Sequence, residues 1–211
     1  KQPAKALAKL EERVAANPKD LDAFLLKALI HEQIKEYDKA RKDYEKIIEV
    51  NPNLSSVQNN LAYLLSERLG ETDKAFELAQ AARKKNPNDA ALADTLGWLH
   101  YKRGEYAAAL PLLAESARKL ATEPEVQFHL GLAAYMMGDE TLAKTALQSA
   151  LQSTNTFAAK DEAKQRLALL AIDANKPATT DTAALQKVLI ERPNDPVAAV
   201  RLGALHEQTS A

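Results

Sequence analysis

Apolar residues recur along this chain at helical spacing, and most of them are Ala and Leu. Near the start, for example, Leu7, Leu10 and Val14 are spaced so that they share one face of a helix. Aromatic residues and β-branched runs are few, which favours helices over strands. Asn-Pro pairs separate the apolar segments, and proline there ends one helix before the next begins. The pattern therefore predicts an all-α chain of short helices.

The boundaries between these segments repeat with a fixed period. Pro18, Pro52 and Pro87 each follow an asparagine and are 34 and 35 residues apart. Glycines keep the same step, since Gly97 and Gly131 are separated by 34 residues. A period of about 34 residues is typical of a solenoid whose unit is a helix–turn–helix.

Within each period the residues resemble the tetratricopeptide repeat. That family has small residues at repeat positions 8 and 20, where the two helices of a unit cross closely. The resemblance implies an all-α, right-handed superhelix of antiparallel helix pairs. We expect an N-terminal half repeat at 1–19, four tandem units at 20–156, a degenerate capping repeat at 157–194 and a C-terminal half repeat at 195–211. The small residues at the two positions are Ala28, Ala62, Gly97, Gly131, Ala40, Ala75, Ala109 and Ala143.

All six glycines fit this register. Three are predicted at helix crossings, where a larger side chain would prevent close approach. The other three are predicted to end the first helix of a unit in the left-handed conformation. The crossing set is Gly97, Gly131 and Gly203, and the helix-ending set is Gly70, Gly104 and Gly138.

The repeat pattern weakens after Gln152. Residues 157–173 predict a polar-faced helix that closes the solenoid, and a Pro/Thr-rich loop is predicted at 175–181. Residues 183–192 then read as the second helix of a unit, and 196–208 as a first helix.

The chain's only tryptophan, Trp98, directly follows Gly97. Each residue of an α-helix turns by about 100°, so the indole is expected to point away from the crossing at that glycine. The resemblance implies that this second face lines the concave side of the superhelix, where ligands bind. Its mixture of apolar and amide side chains suits an extended peptide or a helix, although the same side chains would also pack against the next repeat. The predicted partner-binding residues are Leu25, Leu29, Asn59, Asn60, Tyr63, Asp94, Trp98, Tyr101, Phe128, His129, Leu132 and Tyr135.

Composition narrows the possible functions. The 28 basic and 29 acidic residues nearly balance, which argues against nucleic-acid binding. No apolar stretch is long enough to span a bilayer, so we expect no direct membrane insertion. His31, His100 and His206 are predicted to be structural, on the face that packs within the repeat, and only His129 to face the groove. Because no motif brings titratable side chains together, we expect the protein to have no catalytic activity, no metal site and no cofactor.

These observations predict a non-catalytic scaffold that binds a peptide or helix of a partner protein in the concave groove. One alternative is an assembly module that works through head-to-tail contacts between solenoid ends, and another is a glycan-binding groove in an exopolysaccharide system. The central repeats are similar to those of bacterial envelope-associated multi-repeat proteins, which favours a periplasmic or envelope location over a cytoplasmic one. The half repeat at each end is expected to leave an apolar stripe uncovered for this end-to-end contact, and the residues of the two stripes are Leu7, Leu10, Val14, Val200, Leu202 and Leu205.

Overall fold

The chain folds into α-helices joined by short turns. A computed structural model describes the backbone of residues 2–155, 157–173 and 179–209, and these segments contain twelve helices and no strand. The predicted all-α fold is confirmed. The helices are α1 (Gln2–Ala16), α2 (Leu21–Gln33), α3 (Tyr37–Val50), α4 (Ser55–Glu67), α5 (Thr72–Lys85), α6 (Ala90–Lys102), α7 (Tyr106–Lys119), α8 (Pro124–Met136), α9 (Glu140–Gln152), α10 (Lys160–Ala171), α11 (Thr179–Glu191) and α12 (Pro196–Thr209).

Helices pair as expected of a helix–turn–helix repeat, with α2 against α3, α4 against α5 and α8 against α9. The turn after the first helix of a pair contains a residue with positive φ. Gly70, Gly104 and Gly138 have φ of 70°, 77° and 76°, as predicted. Lys35 is the corresponding residue of the first full repeat, and its φ is 62° although it carries a side chain.

Small residues allow the two helices of a pair to approach closely. Ala28 and Ala40, at positions 8 and 20 of the first unit, are both fully buried. A Cβ added at Gly131 would lie 2.7 Å from Cγ of Leu147 and 3.2 Å from its backbone nitrogen. The prediction for Gly203 is wrong, because this glycine is exposed and an added Cβ would meet no atom within 4 Å. No helix of the described segments packs over that part of α12.

The helices form two compact units, unit 1 up to His100 and unit 2 from Tyr101 onwards. In unit 2, the core between α7, α8 and α9 includes Leu113, Leu130 and Ala146. Helix α10 packs on α9, and α12 contacts α8, α10 and α11. The last helix therefore packs against the fourth repeat as well as against its own neighbours.

The C-terminal helices differ in their bounds from the prediction. Helix α10 falls inside the predicted segment 157–173. Helix α11 begins at Thr179, so the prediction that residues 179–181 belong to the loop is wrong; residues 175–178 lie outside the described segments. Asp181 in the first turn complements the positive end of the helix dipole, which accounts for the earlier start.

The apolar stripes expected to be exposed at the two chain ends are partly covered. Leu10 is buried in α1, which packs on α2, and Leu205 is buried in α12. For these two residues the expectation of an uncovered stripe is wrong, because neighbouring helices of the same unit cover them. Among the other four, Leu7, Val14 and Leu202 are half-buried, and Val200 is 66% exposed.

Candidate functional site

In unit 1 the predicted binding residues lie on α2, α4 and α6, the first helices of their repeats, and remain accessible to solvent. Leu29 is 46% exposed, and so is Leu26, which lies on the same side of α2. The remaining predicted residues of this unit are half-buried. We call this surface the α2–α4–α6 face and define it by Leu25, Leu26, Leu29, Asn59, Asn60, Tyr63, Asp94 and Trp98.

Hydrogen bonds between helices fix α6 beside α4 on this face. Thr95 Oγ1 donates to Asn59 Oδ1 at 2.6 Å, and Trp98 Nε1 donates to Glu67 Oε1 at 3.3 Å. Trp98 is half-buried, so its indole is tethered at one end and still borders solvent. The side chains of this part of the face are therefore preorganised.

Tyr44 connects α2 and α4 from beneath the face. Its buried hydroxyl donates to Glu32 Oε1 at 2.5 Å and also hydrogen-bonds the side chain of Asn60. Burial and the bond to Glu32 raise the pKa of Tyr44 above its ordinary value. The hydroxyl therefore stays protonated at neutral pH and holds a carboxylate of α2 and an amide of α4 in fixed positions.

The predicted set missed Leu26, which belongs to this face, and three residues that border it: Tyr44, Glu67 and Arg68. The Arg68 guanidinium lies over the Tyr63 ring, 6.0 Å from its centre. Glu67 follows Tyr63 by four residues, so helical periodicity alone could have found it. Tyr44 lies on a second helix, where the repeat pattern expects only packing, so nothing in the pattern marked its hydroxyl.

In unit 2, four of the five predicted binding residues are buried, and the prediction that they line an accessible groove is wrong. Phe128, His129, Leu132 and Tyr135 all lie in the interior. The Phe157 ring, in the segment before α10, lies 5.7 Å from that of Phe128. Segments that follow the fourth repeat therefore cover this side of α8.

A buried polar network attaches α12 to α8 and α10. Asp195, just before α12, accepts hydrogen bonds from the Tyr135 hydroxyl at 2.7 Å, from Arg166 Nη1 at 2.8 Å and from the Ala198 amide at 3.0 Å. The Arg166 guanidinium also lies over the Tyr135 ring, 4.8 Å from its centre. Burial and the bond to Asp195 raise the pKa of Tyr135 above its ordinary value. One carboxylate thus caps α12 and joins three helices.

Tyr101 is the only predicted binding residue of unit 2 that is not buried. It lines a cavity of about 240 Å³ together with Tyr106, Met136 and Arg192. Burial raises the pKa of Tyr101 to about 12, although the positive charge of Arg166 acts in the opposite direction. The cavity is next to the Asp195 network, so Tyr101 belongs to the polar environment of the C-terminal helices.

Comparison with protein families identifies the repeat. Three models, each described as a tetratricopeptide repeat, match residues 21–54, 43–77 and 95–159, which together are more than half of the chain. The chain is a tetratricopeptide repeat protein. The repeats of this family generally serve as non-catalytic modules for protein interaction. Comparison with curated protein sequences found no significant match.

Solved structures of tetratricopeptide repeat proteins share the fold at low sequence identity. A Pseudomonas aeruginosa pilF structure is 17% identical, with a TM-score of 0.68 over 98% of this chain and 90% of its own. PilW, a widely conserved type IV pilus biogenesis factor, is 18% identical, with a TM-score of 0.66 over 95% of this chain and 90% of its own. YrrB, a TPR protein with an unusual peptide-binding site, is 17% identical, with a TM-score of 0.56 over 71% of this chain and 77% of its own.

The histidines of this repeat protein have different environments. His31 is buried, with Nδ1 2.7 Å from Asp43 Oδ2, and His100 makes an edge contact with the Phe76 ring. His206 is exposed, so its predicted place on a packing face is wrong, because α12 offers that side of the helix to solvent. In the described segments no group of three or more His, Asp or Glu side chains could hold a metal ion, and no helix is long and apolar enough to cross a membrane.

Proposed function

We propose that this tetratricopeptide repeat protein is a non-catalytic scaffold and that the α2–α4–α6 face binds a peptide or helix of a partner protein. The observation that carries the proposal is the accessibility of Leu26 and Leu29 beside half-buried amide and aromatic side chains. Exposed apolar side chains supply contact area, and preorganised polar groups at their border supply specificity.

The proposal concerns unit 1, since the equivalent side chains of α8 in unit 2 are buried. YrrB, which shares the fold, has a peptide-binding site, and this precedent supports the class of ligand. Asn59, Tyr63, Asp94 and Trp98 are the proposed contacts beyond the leucines.

A displayed library of random twelve-residue peptides, about twelve being enough to cross several repeats, tests the proposal. Peptides selected on the wild type should lose about tenfold or more in affinity for Leu29→Ser combined with Trp98→Ala, because truncating a central contact often costs more than about 1.4 kcal/mol. Val50→Ser is the matched control, since Val50 is exposed on α3, outside the face. Equal affinity for all three proteins would refute the proposal.

A second candidate function is assembly through the chain ends. It is supported by the exposed side chain of Val200 and by a cavity beside α1. Val200 is 66% exposed, and the cavity of about 480 Å³ is lined by Leu7, Ala8 and Ile34 among others. Sedimentation velocity over a wide concentration range tests this function. Self-association that Val200→Asp removes, and that Met137→Asp on an exposed turn does not, would support it.

We also propose that this scaffold protein is located in the cell envelope. This location is supported by the shared fold with PilW, a type IV pilus biogenesis factor. Fractionation of the native host, with an antibody against the protein, tests the location. Recovery of the protein only with cytosolic markers would contradict it.

A further inference from the structure

The accessible side of α2 carries apolar side chains between two carboxylates. Leu25, Leu26 and Leu29 form its centre, and Asp22 and Glu32 lie towards its two ends. All five fall on one side of the helix by their spacing. Ten residues separate the two carboxylates along the chain, which is about 15 Å along a helix axis.

The lysine within α2 does not neutralise the carboxylates of this stripe. Lys27 lies in the middle of α2, but its Nζ is 3.3 Å from Asp43 Oδ1, in the interior of the repeat. Asp43 also contacts His31, so the side chains of Lys27 and His31 are both directed towards Asp43. Lys19 and Lys35, beyond the two ends of α2, are exposed. Among the described residues, neither Asp22 nor Glu32 forms an ion pair, so their negative charges remain available beside the leucines.

Glu32 is held in position and keeps acceptor capacity. The Tyr44 hydroxyl donates to its Oε1, and Tyr44 is itself buried. An ionised carboxylate accepts several hydrogen bonds, so one donor leaves room for a ligand's ammonium or guanidinium group. Asp22 is exposed in the first turn of α2, where the helix dipole favours a negative charge.

We propose that the partner segment bound by this face has bulky apolar side chains flanked on both sides by lysine or arginine. The inference rests on the proposed function and adds the chemistry of the partner. Leucines of α2 would bury the apolar side chains, while Asp22 and Glu32 pair with the flanking cations. Complementary charge at the rim of an apolar contact selects among partners and accelerates their association.

Three immobilised peptide libraries test the proposal. Each has the same randomised centre of Leu, Ile, Phe and Met, and the flanks are Lys in the first library, Ser in the second and Glu in the third. At low salt, wild-type protein should bind the Lys-flanked library about three- to tenfold more tightly than the Ser-flanked one, from two partly exposed ion pairs. The Glu-flanked library should bind least, and added salt should reduce the differences.

The variants isolate the two carboxylates. Asp22→Asn combined with Glu32→Gln should remove the preference for Lys flanks, while Gln at 32 still accepts from Tyr44. Glu49→Gln combined with Glu77→Gln is the matched control, because both residues are exposed on second helices and the charge change is the same. Loss of the preference in this control to the same extent would overturn the inference, since net charge alone would then explain it.

A further pair of substitutions separates this inference from the proposed function. Leu26→Ser combined with Leu29→Ser should abolish binding to all three libraries. If it does so but the wild type binds the three libraries equally, the face binds peptides and the inference about charge is wrong. If the wild type binds none of them, both proposals fail. A concentration-dependent dimer that these substitutions abolish would place a second copy of the chain on the face, and this too would overturn the inference.

Discussion

At the scale of single residues, Gly131 and Gly203 should respond in opposite directions to the same methyl group. Gly131→Ala places a Cβ against the Leu147 side chain and close to its backbone, so we expect a loss of about 1–3 kcal/mol in the free energy of unfolding. Gly203→Ala meets no neighbour inside a helix, so it should gain about 0.8–1.0 kcal/mol from helix propensity. Urea unfolding of both variants measures the two changes, and equal signs would contradict the described crossing.

Lys35 has a left-handed backbone conformation that glycine adopts at the equivalent turn of the next three repeats. A left-handed backbone costs an L-residue about 1–2 kcal/mol, and glycine relieves this cost. Part of the gain in stability is offset because glycine also makes the unfolded chain more flexible. We expect Lys35→Gly to stabilise the protein by about 0.5–1 kcal/mol. Lys42→Gly, in the interior of α3, is the control and should destabilise by about 1 kcal/mol. Thermal unfolding of both variants would show it, and a destabilised Lys35→Gly would mean that this turn is not strained.

At the scale of elements, the attachment of α12 depends on Asp195. Asp195→Ala would leave the buried Arg166 without its closest counter-charge, which typically costs about 3–5 kcal/mol. Asp139→Ala removes only an exposed helix cap that accepts from the Leu142 amide, at a cost of about 0.5–2 kcal/mol.

Hydrogen exchange in α12 and urea unfolding measure the difference between the two variants. Asp195→Ala should expose the amides of α12 and α8, whereas Asp139→Ala should affect α9. Similar effects of the two variants would show that Asp195 is no more than a cap.

The pairs of helices were predictable from the sequence because local geometry determines which residue types can occupy the helix crossings and the turns. Only a small side chain fits at a crossing such as Gly131, and only glycine is comfortable at turns such as Gly104, so the period is visible in the residues themselves. The contacts of Tyr135 with Asp195 join residues 60 apart that share no period. Sequence reasoning could therefore place Tyr135 on the correct side of α8 but could not show that this side is covered.

The candidate site follows the same division. The residues of unit 1 that the register placed on a second face, such as Tyr63 and Trp98, are accessible. Their hydrogen-bond partners were not foreseen, since Glu67 lies outside the signature positions and Tyr44 occupies one where the repeat requires only a bulky side chain. A family pattern records what packing requires, and polar contacts specific to one chain leave no trace in it.

At the scale of the whole molecule, high pH should unfold the protein through its tyrosines. The pKa of Tyr101 is raised to about 12, and burial raises those of Tyr44 and Tyr135 in the same direction. A raised pKa means that the fold favours the neutral phenol, so this contribution is intact below about pH 10 and is lost progressively as pH rises towards 12.

Titration followed by phenolate absorbance and by helical circular dichroism tests this expectation. Part of the absorbance change should coincide with the loss of helix, and Tyr101→Phe should shift that loss to higher pH. Full ionisation of all tyrosines in a protein that remains helical would contradict it.

Trp98, whose indole donates a hydrogen bond to Glu67, is an intrinsic fluorescent reporter of the α2–α4–α6 face. Trp98 is the only tryptophan, so its fluorescence comes from a single place on the α2–α4–α6 face. A ligand that covers this half-buried indole excludes water from it, and its emission should move to shorter wavelengths and become harder to quench with acrylamide. Occupancy of the face can thus be followed in unlabelled protein, and a peptide that binds elsewhere would leave the spectrum unchanged.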